Sequence, residues 1–144
     1  MLPESDIFAV YNEKLLRLSA AAEQQEPLAH FDETARVTSP ICGSVVTVRL
    51  TRRGDHVDKI FFDVEACALT KAVVAVMIKA APGKTASDIA KAGKVLQDIL
   101  DGKDAPLPKD WEELDILKSL RDYKARHNAM MLPFEAVAKA FAPA

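Results

Sequence analysis

Apolar residues recur along the chain with two different periods, and each period predicts an element. Ile7, Val10, Tyr11, Leu15, Leu18 and Ala22 recur at helical spacing through about Gln24, behind Ser5 as the expected N-cap. Gln24–Thr34 is polar and broken by Pro27, so a loop is predicted there. Ala35–Thr38 is a short strand candidate. Val46, Val48 and Leu50 alternate with Thr47, Arg49 and Thr51, the period-two pattern of a half-buried strand. Arg53-Gly54-Asp55 supplies a turn, and Val57–Val64 returns as the next strand. Three sequential strands joined by short turns predict an antiparallel meander.

After Glu65-Ala66-Cys67 the period changes. Ala68–Ala81 is apolar nearly all round, with Lys71 and Lys79 on one side, and predicts a largely buried helix stopped by Pro82-Gly83. Thr85 and Asp88 form a capping-box variant that opens a helix through Leu100, with Ile89, Val95, Leu96 and Ile99 as its apolar stripe. Asp101–Asp110 holds two prolines and a glycine and reads as a loop. Trp111–Ser119 is a short helix candidate, and a final helix is predicted to start within Ala125–Asn128 and run to Phe141. Pro133 must lie in its first turns or bend it, because proline removes a backbone donor. No internal repeat or low-complexity segment interrupts the pattern. The expected fold class is α+β: a three-stranded antiparallel sheet packed against helices, with an N-terminal helix and a C-terminal helical half, in one domain over residues 1–144.

Composition narrows the function classes. A chain of 144 residues buries about two-thirds of its unfolded surface, so no disulfide or metal is needed merely to supply a core. The formal net charge of −2 argues against a general nucleic-acid binder. The longest apolar run, Ala72–Ile78, falls far short of the roughly 20 residues of a membrane span. The opening residues MLPESDIF lack a basic segment followed by an apolar one, so no signal peptide is expected and the expected location is cytoplasmic. Thiols are kept reduced there, and two cysteines are more often free, metal-bound or catalytic than paired.

Those two cysteines fall at predicted element ends. Cys42 sits in Thr38–Ser44 (TSPICGS), a tight turn between two strands, and Cys67 precedes the buried helix. The positive end of the helix dipole suits a thiolate at Cys67. His127 opens the last helix and completes the one soft-ligand set worth assembling. The spacing is not that of a zinc finger, since no C-x-x-C pair exists. Ordinary packing is the alternative for each cysteine, and a surface or helix-capping role is the alternative for the histidine. A Cys/His nucleophile has no local signature in support, and no glycine-rich phosphate loop is present.

The order of these residues resembles the U-type iron–sulfur cluster scaffold family (IscU, the NifU N-terminal domain, SufU). That family carries a Cys-Gly-Asp turn after its first strand, a second cysteine before a buried helix and a third cysteine opening the last helix. Cys42-Gly43-Ser44 is similar to the first motif, with serine in place of aspartate, and Glu65-Ala66-Cys67-Ala68 is similar to the second. Arg126-His127-Asn128-Ala129, followed by Met130-Met131-Leu132-Pro133-Phe134-Glu135-Ala136, looks like the family's terminal motif, with Asn128 where the third cysteine stands. Extra residues around Asp101–Trp111 favour the SufU branch, and the likeness covers about residues 5–141.

The resemblance implies a scaffold or carrier, not an enzyme, that binds iron, zinc or an iron–sulfur cluster through Cys42, Cys67 and His127. Ser44 and Asn128 occupy the family's other ligand positions and offer only neutral oxygens. The expected partners are a cysteine desulfurase and apo-protein recipients, with no nucleic acid and no membrane. Two alternatives accompany this reading. One is a zinc-containing sulfur acceptor working with a desulfurase, and the other an interaction module that kept the fold without the metal.

Overall fold

The structure, a computed structural model, describes residues 13–41 and 43–142. Helix α1 covers Glu13–Ala21 and buries Leu15 and Leu18. Its expected start, including Ser5, Ile7, Val10 and Tyr11, lies outside the described residues. Its last turn ends earlier than Gln24 because Glu23 N–H and Gln24 N–H bond back three residues, to the carbonyls of Ala20 and Ala21. That tightening to 3₁₀ geometry satisfies carbonyls an α-helix end would leave open.

Strands β1 (Glu33–Thr38), β2 (Val45–Arg53) and β3 (His56–Glu65) form one antiparallel sheet in the order β1-β2-β3, the meander expected. β1 begins two residues before the predicted Ala35, since Glu33 and Thr34 pair with Leu50 and Arg49. Polar residues on an edge strand carry no period-two signal, which is why the pattern gave them to the loop. In β2, Val46, Val48 and Leu50 are fully buried while Val45, Thr47 and Arg49 are only half-buried, so a single sheet face meets the helices. Gly54 turns β2 into β3 at φ 58°, at the first central position of a two-residue loop where glycine escapes the Cβ penalty. The free edge of β3 is partly closed. The Gln25 side chain accepts from Phe62 N–H (2.8 Å) and donates to Phe62 C=O (2.9 Å), imitating a neighbouring strand.

Helix α2 (Ala68–Ala80) is buried on most of its circumference, as the all-round apolar pattern predicted. It packs between α1 and α4 (His127–Phe141), and α4 also lies against β1 and β2. Helix α3 (Ala86–Leu100) opens with the capping box read from Thr85 and Asp88: Thr85 Oγ1 accepts from Asp88 N–H, and Asp88 Oδ2 accepts from Thr85 N–H, each at 3.1 Å. Its buried stripe includes Ile89, Ala92, Gly93 and Leu96, while Val95 is only half-buried. Gly93 faces the Phe134 ring of α4 so closely that an added Cβ would lie 2.9 Å from it.

Trp111–Ser119, expected as a short helix, is a short helix of 3₁₀ pitch over Glu112–Leu120. Its buried side chains explain the pitch. Trp111, Leu114, Leu117 and Leu120 recur every third residue, which aligns on one face at three residues per turn. Trp111 anchors the segment against Phe134, ring centroids 5.5 Å apart. A further 3₁₀ turn, Lys124–Arg126, leads into α4, whose start at His127 falls within the expected range. No helix among the described residues is long and apolar enough to cross a membrane.

Candidate functional site

Three pieces of chain meet where α4 begins: the turn between β1 and β2, the N-terminus of α2, and the 3₁₀ segments before α4. The turn is closed by Ser39. Its N–H donates to Ser44 C=O (2.8 Å) and its C=O accepts from Gly43 N–H (3.0 Å). Its Oγ accepts from Ile41 N–H at 3.3 Å. Gly43 stands at φ 74°, the left-handed region in which side-chain-bearing residues are strained. Ser44 is buried. Cys42, the sequence candidate between Ile41 and Gly43, lies outside the described residues.

Cys67 is the N-cap residue of α2, half-buried, with extended backbone (φ −73°, ψ 171°). No acid occupies the first turn behind it. Its Sγ lies 3.7 Å from Thr70 Oγ1. Thr70 is completely buried, and its hydroxyl donates to Ala129 C=O in α4 at 2.9 Å. The reason for this last bond lies in the sequence. Ala129 C=O would ordinarily accept from the N–H four residues on, but that residue is Pro133, which has none. Thr70 supplies the missing proton from the neighbouring helix. A hydroxyl has one proton, so toward Cys67 the Thr70 oxygen is the acceptor and the S–H the donor.

His127 is held in turn. Its Nε2 lies 2.7 Å from Arg121 C=O, and a carbonyl can only accept, so Nε2 carries the hydrogen. In the neutral ring this leaves Nδ1 with a free lone pair, the arrangement by which an outer carbonyl orients a metal-binding imidazole. Next to it, Asn128 Oδ1 accepts from Ser39 Oγ–H. Three consecutive residues at the start of α4 are therefore tied to three other segments: His127 to Arg121, Asn128 to Ser39, and Ala129 to Thr70.

Of the residues predicted from sequence, Cys67 and His127 both lie at this junction, one linked to the start of α4 through Thr70 and one within it. Glu65, exposed at the end of β3, pairs in register with Val45 beside the turn. Among the described residues no three His, Cys, Asp or Glu side chains come together to hold a metal ion. Ser39 and Thr70 were not singled out from sequence, because single hydroxyl residues carry no pattern. Pro133 was the available signal for Thr70, since it requires some partner for Ala129 C=O.

The comparisons with known proteins agree across most of the chain. The sequence model of the family described as the NifU-like N terminal domain matches residues 10–130. The zinc-dependent sulfurtransferase SufU of Bacillus subtilis is 24% identical over 106 residues, 74% of this chain and 72% of that protein. The iron–sulfur cluster assembly scaffold protein IscU of Streptococcus pyogenes serotype M1 is 21% identical over 108 residues, 75% of this chain and 68% of that protein. A NifU-like protein (N-terminal) from Brucella abortus superposes with a TM-score of 0.85 at 35% identity, covering 93% of each chain. The SufU from Fervidobacterium islandicum, described as a putative scaffold, shares the fold at 20% identity, with a TM-score of 0.82 over 93% of this chain and 98% of its own.

Proposed function

Because the chain belongs to the NifU-like N-terminal domain family, we propose that it is an iron–sulfur cluster assembly scaffold, a carrier that receives iron or a cluster as cargo and hands it on. The observation that supports this reading is the junction at the start of α4. It ties the Cys67 thiol, through Thr70, to the helix turn that presents His127 with Nε2 protonated and Nδ1 available. Thiolate and imidazole are soft or borderline donors that suit ferrous iron, zinc and iron–sulfur clusters. Cys42, next to Gly43 in sequence, is the third donor on this reading. A set of two thiolates and one imidazole leaves one position of a tetrahedral ion for another ligand, as a carrier that must release its cargo requires. A cysteine desulfurase supplies the sulfur and apo-proteins receive the product.

Anaerobic reconstitution with ferrous iron and sulfide tests this. Visible absorption of a cluster is expected in the wild type and is expected to vanish in Cys42→Ala and Cys67→Ala. No cluster in the wild type, or a cluster indifferent to both substitutions, refutes the reading.

A second reading, a zinc-containing sulfur acceptor, is favoured by the likeness to a relative named for zinc-dependent sulfur transfer. The donor set serves zinc as well as iron. Here a desulfurase would be stimulated by the purified protein, with the stimulation lost on changing Cys42 or Cys67. Absence of stimulation at saturating protein rejects this version and leaves the cluster reading standing.

A further inference from the structure

Thr70 stands in the first turn of α2, three residues after Cys67, with its Oγ1 3.7 Å from the Cys67 Sγ. It is completely buried, and its hydroxyl proton goes to Ala129 C=O, 2.9 Å away and two residues after His127 in the first turn of α4. The two helices pack against each other through largely apolar surfaces. Burial of apolar area has no preferred direction, whereas a hydrogen bond fixes a distance and an angle. The Thr70–Ala129 bond therefore sets how these two first turns stand relative to each other. Arg121 C=O orients the His127 ring but does nothing to set its distance from α2.

Two features keep the bond in place. Ala129 C=O has no competing donor from its own helix, because residue 133 is proline. The bond also makes no use of the Cys67 proton, which points at the Thr70 oxygen, so displacing that proton with a metal leaves the Thr70 donor where it is. We infer that Thr70 is a positioning residue for the cargo donors: its bond to Ala129 fastens the end of α2 that carries Cys67 to the turn of α4 that carries His127, and so fixes the spacing of the two. The inference rests on the cargo-binding reading above and extends it to a residue that touches no cargo.

Cobalt(II) is the probe, because its absorption bands report the ligand set directly. The proteins are the wild type, Thr70→Val, Thr70→Ser and Gln25→Leu, titrated anaerobically at one pH. Thr70→Val should weaken cobalt binding by about 10-fold, the scale of outer residues that orient ligands, with the bands where the wild type has them. Thr70→Ser keeps the hydroxyl and should bind as the wild type does. Gln25→Leu removes buried bonds at the free edge of β3 instead, and should also bind as the wild type does. A Thr70→Val affinity equal to wild type, or lowered no more than that of Gln25→Leu, overturns the inference and leaves the cargo reading standing. So does a Thr70→Ser variant as weak as Thr70→Val. Shifted bands in Thr70→Val would show Thr70 acting on the bound sulfur itself, which also overturns it. If Thr70→Val fails to fold, the comparison is made in Pro133→Ala, where Ala129 C=O has a helical donor as well. A carbonyl oxygen accepts two bonds, so Thr70 keeps its own there; its loss should still weaken binding, and equal affinities reject the inference. A wild type with no sulfur-to-cobalt charge-transfer band refutes the cargo site itself, and the positioning role with it.

Discussion

Replacing Thr70 by valine removes one hydroxyl and keeps the shape of the side chain, so the site is neither emptied nor overfilled. The lost group is the donor to Ala129 C=O, 2.9 Å away, between two residues that are 0% and 1% exposed. Water cannot easily replace it there, and the α-helical donor is already missing because residue 133 is proline. A buried polar group left without a partner costs about 1–3 kcal/mol. For a 144-residue chain the unfolding entropy near 60 °C is about 0.3 kcal/mol/K, so a loss of about 2 kcal/mol lowers Tm by about 7 °C. The Cys67 S–H also loses its acceptor, but Cys67 is only half-buried, so solvent offsets much of that loss. The decisive assay is a double-mutant cycle in urea with Pro133→Ala. Alanine restores an N–H that can reach Ala129 C=O, so Thr70→Val should then cost less, with a coupling of about 1–2 kcal/mol. If Thr70→Val costs the same in both backgrounds to within about 0.5 kcal/mol, Thr70 does not replace the donor that Pro133 lacks, and the reasoning fails.

Other substitutions test other parts of the fold. Gly93→Ala should destabilise by about 1–3 kcal/mol despite alanine's better helix propensity, because the new Cβ meets the Phe134 ring at 2.9 Å; a stabilised variant in urea unfolding would refute that packing. Gln25→Leu should cost about 1–2 kcal/mol by removing both bonds to Phe62, and should raise hydrogen exchange at the Phe62 amide; unchanged exchange there would show that Gln25 does not close the edge. Asp88 has its pKa held below the ordinary carboxylate value by hydrogen bonds from Thr85 N–H and the Thr85 side chain. A carboxylate depressed in the folded state contributes stability above its unfolded pKa and loses it as pH falls through the lower folded value. Asp88→Asn should therefore flatten the acid side of the stability profile below about pH 4 and leave its slope near neutrality unchanged; an unaltered acid limb would count against the capping box as its source. Glu135, an exposed residue on α4, is shifted the other way, its pKa raised by partial desolvation of the carboxyl, so its contribution to stability falls as pH rises through its unfolded value. Glu135→Gln should remove that decline, which stability curves between about pH 4 and 7 would reveal.

Much of this architecture was decided by the sequence alone, through local rules that need no distant partner. Val46, Val48 and Leu50 could bury only one face of a strand, Gly54 could turn a hairpin, and Thr85 with Asp88 could start a helix; all three did so. The 3₁₀ pitch of the short helix expected at Trp111–Ser119 was also written in the chain, as the three-residue spacing of Trp111, Leu114, Leu117 and Leu120. Order along the chain, compared with a known family, proposed Cys42, Cys67 and His127 as donors. What sequence could not supply was the set of bonds that makes the start of α4 a junction. Ser39 and Asn128 are 89 positions apart, Thr70 and Ala129 are 59, and hydroxyl and amide side chains carry no periodicity that would pair them. Only packing of α2 and the β1–β2 turn against α4 brings them within hydrogen-bond range. There the physical demand is simple: Pro133 leaves a buried carbonyl without its helical donor, and a buried serine hydroxyl needs an acceptor. The tertiary structure meets both with residues that no local pattern distinguished.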